Sequence, residues 1–496
     1  MSYEVILLSD MSQSNIWSRP LAPYRLATEL RANGFSTLVV NGISDFLEDE
    51  LVATLENKID SETLFVGVSS TFVNSRTARG FFPGLRAEKS INLSKVILRI
   101  KEKFPHVQFV IGGANTAFFL ASESAEKIDF FVFGYSDLLI LQIARHYKFK
   151  EKLTYELTDG LKIIKADNEK NSSGIVQYQS IYSSQDQIFE NETLVLELSR
   201  GCRFKCKFCA YPMNGRKKDT FLKDAETLKL ELLRNYELYN ITNYILADDT
   251  YNESLEKIVH FSGIFQSLPF KINFATYLRL DLIHQYPESM DILQNSGLGG
   301  AFFGIESLYE PAARAIGKGL SSEKSIATLK KLKQVWGSSV NLTGGFIVGL
   351  PNDTSETMTD WLSQISDSTF PLDHASVNPL MIGSKTSQNP WKSEIQLQPE
   401  KFGYSVRPDE NAKRKDVHWE NSGLNSEYAK ALVLEHYKKY FETVPRPYDS
   451  FSQQALKGYS LPKQIGTPLV NNLQHRDIID AAVAERALEY KRRINL

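Results

Sequence analysis

Ser199-Arg200-Gly201-Cys202-Arg203-Phe204-Lys205-Cys206-Lys207-Phe208-Cys209 follows directly on the apolar run Thr193 to Leu198, and its reading decides the fold of the whole chain. The chain has three cysteines in 496 residues, and all three fall in this stretch. An odd number so tightly grouped excludes a disulfide framework and points to a metal centre. Three thiolates from one compact loop can hold three irons of a 4Fe-4S cluster. The fourth iron then lacks a protein thiolate and is open to chelation by the amino and carboxylate groups of a small molecule. Zinc is the rival ligand. A structural zinc site is closed by four ligands, however, and the nearest histidines in sequence are His146 and His260.

Working outward, the cysteine stretch opens a β-α series. Strands are predicted near Thr193 to Leu198, Asn243 to Leu246, Lys271 to Thr276, Gly300 to Ile305, Asn341 to Val348 and Ala375 to Leu380, with helices such as Ala225 to Leu238 and Glu323 to Val335 between them. Six such units predict a partly closed parallel barrel, with the cysteines at a strand's carboxyl end, where barrel active sites form. Ahead of it, Tyr3 to Leu8, Ser36 to Val40, Thr63 to Val68, Val107 to Ile111 and Asp129 to Phe133 read as strands alternating with helical patterns, which predicts a doubly wound parallel sheet. The ligand crevice of such a sheet lies beyond its strand ends, here marked by Ser69, Ser70, Thr71, Gly112, Gly113 and Gly134. Each of these also suits an ordinary tight turn. The expected organisation is an α/β sheet domain at 1–150, a hairpin turning at Asp159-Gly160 and a polar linker at 151–190, the barrel at 191–385, and a largely helical region at 386–496.

The C-x3-C-x-aromatic-C loop, with Phe208 in the aromatic slot, resembles the defining motif of the radical S-adenosylmethionine (SAM) superfamily. That resemblance implies a cluster held by Cys202, Cys206 and Cys209, with SAM on the fourth iron, reductively cleaved to a 5'-deoxyadenosyl radical. Later strand ends extend the likeness. Asp248 and Asp249 stand where the family receives the SAM amino group, although an N-cap role suits them too. Arg279 stands where a polar or basic residue faces the SAM carboxylate, or else forms an ion pair. Gly304-Ile305-Glu306-Ser307 matches the family's G-I-E-S stretch, which places Glu306 and Ser307 near the ribose and carboxylate. Gly345 to Gly349 resembles the G-x-I-x-G pattern in which Ile347 packs the adenine; Glu356 is displaced from that pattern's acidic position.

The sheet ahead of the barrel is similar to the cobalamin-binding domain of B12-dependent members, which implies corrinoid contacts at Ser69, Ser70, Thr71, Gly112, Gly113 and Gly134 and methyl transfer to an unactivated carbon. An Asp-x-His-x-x-Gly loop is absent, and His106 and His146 read as surface residues rather than cobalt ligands. The alternative is a radical SAM enzyme without corrinoid, or with corrinoid but rearranging or cyclising its substrate, the first domain holding substrate or a partner. The resemblance also implies a low-potential electron donor such as flavodoxin or ferredoxin and a small-molecule or peptide substrate. Balanced charge, 57 basic against 59 acidic residues, argues against a nucleic-acid partner, and the short basic runs Arg216-Lys217-Lys218, Lys413-Arg414-Lys415 and Lys491-Arg492-Arg493 do not overturn it. No uncharged apolar window of membrane-spanning length occurs, which gives the expectation of a cytoplasmic protein. Trp391, His418, Trp419, Tyr448 and Phe451 are candidates for closing the barrel mouth.

Overall fold

The computed structural model describes the chain except residues 1, 11–15, 17, 74–75, 79–89, 217–220, 386, 409–416, 422, 444–447, 462–472 and 496. Lys217, Lys218 and the basic run at 413–415 lie outside the described residues. The N-terminal sheet has seven strands: Val5–Leu8 (β1), Thr37–Val40 (β2), Phe65–Ser69 (β3), Gln108–Gly112 (β4), Phe130–Phe133 (β5), Glu156–Thr158 (β6) and Leu161–Lys165 (β7). Their order is β2-β1-β3-β4-β5-β7-β6, parallel throughout except that β6 runs antiparallel to β7. Val5-Ile6-Leu7-Leu8 forms β1, buried on both faces as a central parallel strand must be, and Thr37-Leu38-Val39-Val40 forms β2, which is buried although it stands at the sheet edge. The chain leaves β1 to one side for β2 and returns to the other for β3, so a crevice opens beyond their carboxyl ends.

The hairpin turns at Asp159 and Gly160, both at positive φ (50° and 78°), as a two-residue hairpin loop requires. It is no free linker: β7 pairs with β5, and the sheet continues past residue 150. The polar stretch that follows is tied down by charge. Arg31 forks onto Asp186 at 2.7 and 2.8 Å, and Arg19 meets Glu192 at 2.6 Å with both side chains buried.

The second sheet runs Leu194–Leu196 (β8), Asn243–Leu246 (β9), Asn273–Leu278 (β10), Leu298–Glu306 (β11), Asn341–Val348 (β12) and His374–Pro379 (β13), six parallel strands paired in chain order. The helices between them start where a side chain can accept an orphan N–H: Asp224 caps Ala225–Tyr239, Ser254 caps Leu255–Gln266 and Thr354 caps Ser355–Ser366. Periodicity predicts most of these elements within one or two residues.

Six strands leave a partial barrel with an open interior, which the C-terminal region fills. Helix Ser450–Leu456 lies inside it, fixed by Ser450 N–H to Thr343 Oγ1 (2.9 Å), Thr193 Oγ1 to the Gln454 carbonyl (2.9 Å) and Gln454 Nε2 to the Asn273 carbonyl (2.9 Å). Phe451 stacks on Phe302 of β11 at 5.6 Å and meets Tyr277 of β10 at 4.6 Å. Helix Leu473–Asn495 then reaches the N-terminal sheet, where the Tyr490 hydroxyl accepts from Asn41 N–H at 2.9 Å. Ser405–Pro408, Val417–Asn421 and Leu424–Asn425 form a small antiparallel sheet, an addition to the helical region expected there. Trp419 is core, donating to the Leu380 carbonyl at 2.9 Å, and His418 sits beside Ser426. Phe451, and not these, lies within the barrel.

Replacing Phe451 with alanine removes the ring that joins this helix to β10 and β11. The expected cost is about 3–5 kcal/mol, read as a lower thermal midpoint of the full chain; an unchanged midpoint contradicts the packing described.

Candidate metal centre and cofactor site

The cysteine loop is held by the end of β8 and by residues that return alongside it, through isolated bridges of Ser199 to Leu222 and Cys202 to Asn214. Arg200 N–H donates to the Phe221 carbonyl (3.1 Å), Cys202 N–H to Met213 (3.2 Å), Gly215 N–H to Phe204 (2.9 Å) and Arg216 N–H to Cys202 (3.1 Å). Gly201 makes the bend at φ +79°, where a Cβ would lie 2.5 Å from the Met213 carbonyl oxygen, so a side chain is excluded there. All three cysteines are free and half-buried. Cys202 Sγ lies 3.4 Å from Thr250 Oγ1, and Cys206 Sγ is 3.5 Å from Arg279 Nη1. Burial pushes the thiols of Cys202 and Cys209 up, so a bound metal is what would hold them as thiolates. Among the described residues no three His, Cys, Asp or Glu side chains converge on one point as for a single ion; a cluster taking one thiolate per iron does not need that convergence. The donor set therefore fits a cluster.

The two adjacent aspartates have opposite environments. Asp248 is fully buried and accepts from Leu198 N–H (3.0 Å), Ser199 N–H (3.3 Å), Ser199 Oγ (2.6 Å) and Lys257 Nζ (2.9 Å). It ties the end of β9 to the end of β8 and has no lone pair to offer a ligand, which corrects its expected place beside Asp249. Lys257, which the sequence shows only as one more helix cation, is buried and also reaches Ser199 Oγ (2.6 Å), the Thr250 carbonyl (3.1 Å) and Glu253 (3.1 Å); Glu253 in turn accepts the Arg203 N–H at 3.0 Å. The one signal in the sequence is the Glu253/Lys257 spacing of four. Asp249 is half-buried and accepts no side-chain hydrogen bond among the described residues. Burial, followed by the neighbouring Asp248 charge, raises its pKa to about 6. Its charge acts on Cys202, Cys209, Tyr135, Tyr211 and Tyr277, so it stands among them.

The remaining barrel positions gather at the same end. Arg279 is held in a fork by Asp281 at 3.0 and 2.6 Å, and its guanidinium lies 3.9 Å over the Phe204 ring. Phe208 packs on the barrel core. Glu306, at φ +72°, faces Lys318 Nζ at 3.3 Å, where β11 and β12 slip register between Gly304 and Glu306. Ser307 Oγ accepts the Tyr309 N–H at 3.0 Å. Gly345 lies against the Phe302 ring, and Ile347 is half-buried on β12. Glu356 is exposed on the outer helix. Tyr277 is 43% exposed while its side chain points into the barrel beside Phe302 and Phe451, so open space lies above this aromatic floor.

The N-terminal sheet presents its strand ends to this site. Arg200 NH groups fork onto Asp137 at 2.6 and 2.9 Å, its Nε donates to Glu197 at 2.7 Å, and its guanidinium lies 4.6 Å over Tyr135. Ser69 and Thr71 are half-buried at the edge of the crevice, and Ser70 is buried with its Oγ 3.2 Å from Thr116 Oγ1. Gly112 and Gly113 are half-buried there, and nothing comes nearer than 3.6 Å to a Cβ built on Gly112. Gly134 differs from its expected role. A Cβ there would lie 2.5 Å from Asn168 Oδ1 and 2.8 Å from Trp391, so this glycine makes room for the chain's own side chains. His106 bonds the Asp60 carbonyl and His146 the Glu151 carbonyl, both at the amino-terminal end of the strands and away from the crevice.

Asp353, in the turn after β12, is buried with Oδ1 unpartnered while Oδ2 accepts the Leu350 N–H at 2.9 Å. Burial raises its pKa from 3.8 to about 7. A carboxyl raised on folding carries no penalty below its unfolded pKa and the full penalty above its folded one, so stability falls as pH rises from about 4 to about 7. Asp353→Asn is expected to raise the thermal midpoint at pH 8 and leave it unchanged near pH 4; equal midpoint shifts at the two pH values contradict this.

Comparison with known proteins agrees with this geometry. Residues 196–365 match the Radical SAM superfamily. A hopanoid C-2 methylase of Rhodopseudomonas palustris is 25% identical over 182 residues, 36% of this chain and 34% of that protein. An uncharacterized methyltransferase of Pyrococcus horikoshii is 25% identical over 162 residues, 33% and 34% of the two chains. The chain thus matches about a third of the length of these curated relatives. Among solved structures, the radical SAM methyltransferase TsrM of Kitasatospora setae superposes with a TM-score of 0.63 at 13% identity, covering 98% of this chain and 99% of that one. The cobalamin-dependent SAM radical enzyme OxsB gives 0.53 at 18% identity, covering 81% and 56%. Residues 196–365 therefore match the radical SAM family, and the chain as a whole shares its fold with TsrM.

Proposed function

We propose that this protein is a cobalamin-dependent radical SAM methyltransferase acting on an unactivated carbon of a small-molecule or peptide substrate. The observation that carries the reading is the juxtaposition across Arg200: a free three-cysteine loop at the end of β8 is tied by this guanidinium to Asp137, just past the carboxyl end of β5 in the doubly wound sheet. A reduced cluster supplies the electron that cleaves SAM, and a corrinoid supplies a methyl group to be captured. Within this reading Cys202, Cys206 and Cys209 hold the cluster. Asp249, with its free carboxylate, receives the SAM ammonium, and burial makes that ion pair stronger than it would be in water. Glu306 and Ser307 face the ribose and carboxylate, and Ile347 with Gly345 packs the adenine. Ser69, Thr71, Gly112 and Gly113 line the corrinoid crevice without a protein imidazole, while Ser70 supports it from below. Tyr277, Phe302 and Phe451 form the apolar floor under the substrate.

The exposed basic rim at Arg203 and Lys205 suits a low-potential donor such as flavodoxin or ferredoxin, which belongs with a cytoplasmic setting. Among the described residues no helix is long and apolar enough to cross a membrane. A corrinoid-free radical SAM enzyme is the second reading, favoured by one observation: Asn168 and Trp391 already fill the space over Gly134.

Anaerobic reconstitution with iron, sulfide and hydroxocobalamin separates the two. Stoichiometric cobalt, with 5'-deoxyadenosine and S-adenosylhomocysteine formed after reduction, is the expected result; iron and deoxyadenosine without cobalt select the second reading. Cys206→Ala is expected to lose the cluster and SAM cleavage while keeping the circular dichroism of the parent, and undiminished cleavage contradicts the assignment. Asp249→Asn removes a charge-assisted bond of about 1.5–3 kcal/mol, so SAM affinity of the reconstituted protein is expected to fall roughly ten- to a hundredfold in equilibrium dialysis.

A further inference from the structure

We infer that Arg279 sets the charge on one thiolate of the cluster loop, acting as a positioning residue for Cys206 and not as the seat of the SAM carboxylate; the inference rests on the cluster reading of the three cysteines. All three nitrogens and one face of this guanidinium are engaged. Its Nε and Nη2 edge is spent on both oxygens of Asp281, at 3.0 and 2.6 Å. One face lies 3.9 Å over Phe204, which is itself part of the loop between Cys202 and Cys206. The remaining Nη1 is 3.5 Å from Cys206 Sγ. The backbone beneath is pinned as well, since Arg279 N–H donates to Asn252 Oδ1 at 2.8 Å and Asn252 Nδ2 to the Arg279 carbonyl at 2.9 Å. Only 6% of the residue is exposed, so little of it is left for a ligand.

The other cations of the loop are placed differently. Lys207 is taken by Glu394 at 2.5 Å, and Arg203 and Lys205 are exposed. Arg279 therefore delivers a positive charge and an N–H donor to one cysteine sulfur from a fixed direction. A thiolate that accepts a hydrogen bond from a cation holds more negative charge, which favours the more negative, reduced cluster and raises its potential. Asp281 sets the direction of the fork and Phe204 its height, so both act through Arg279.

The test uses the reconstituted full chain, with iron and sulfide analysis and a redox titration followed by EPR. Arg279→Gln is expected to keep four irons and move the midpoint to a more negative potential, with Arg279→Lys between it and the parent because lysine keeps the charge and loses the fork and the stack. Asp281→Glu, which displaces the fork and keeps both charges, is expected to shift in the same direction by less; it decides the matter if Arg279→Gln does not hold four irons. A parental midpoint in Arg279→Gln with full iron, or in Asp281→Glu where that variant decides, overturns the inference. A parental midpoint joined to weaker SAM binding returns Arg279 to the carboxylate. Absence of a four-iron cluster in the parent overturns the cluster reading itself, and this inference with it.

Discussion

The Arg200 guanidinium is the junction on which the arrangement depends. It lies two residues before Cys202, is nearly fully buried, and is shared between Asp137 of the first sheet and Glu197 at the end of β8. Removing one partner of such a buried pair typically costs about 3–5 kcal/mol because the other charge is left uncompensated. The strand end that carries the cysteines is thus anchored across the domain junction, and the crevice of one sheet is held opposite the mouth of the other. Tyr135, under the same guanidinium, stands at the end of the first sheet within reach of the Asp249 charge.

A second buried network fixes the loop from the other side. Lys257 joins Asp248, Glu253, Ser199 and Thr250, and Glu253 takes the N–H of Arg203 inside the loop. Burying these charges is costly, and several mutual contacts are needed to offset desolvation. The result is a fixed seat for the three cysteines, beside which Asp249 alone of the adjacent pair keeps its carboxylate unengaged among the described residues.

The legible part of this account was local. C-x3-C-x2-C is written in eight consecutive residues, Cys202 to Cys209, and apolar runs mark β1 to β5 and the barrel strands because each buries itself against its neighbours. What escaped depended on direction and on long-range packing. Successive side chains at a strand end point opposite ways, so the pair Asp248-Asp249 does not itself say which carboxylate is free. A lysine on a helix reads as solvated, and the Glu253/Lys257 spacing of four announces an ion pair but not that it is buried. Gly134 looked like a place for a ligand to approach; the close approach comes from Asn168 and Trp391, the latter more than 250 residues away. Helix Ser450–Leu456 carries no sign that it fills a barrel, since its partners are spread from Thr193 to Thr343.

The central claim is that the three sulfurs leave one iron for SAM to chelate. The EPR spectrum of the reduced, reconstituted protein with and without SAM labelled with nitrogen-15 at its amino group tests it most directly. The account requires the spectrum to change on addition and a hyperfine coupling to the labelled nitrogen to be resolved. An unchanged spectrum with no such coupling, at full iron and saturating SAM, contradicts it.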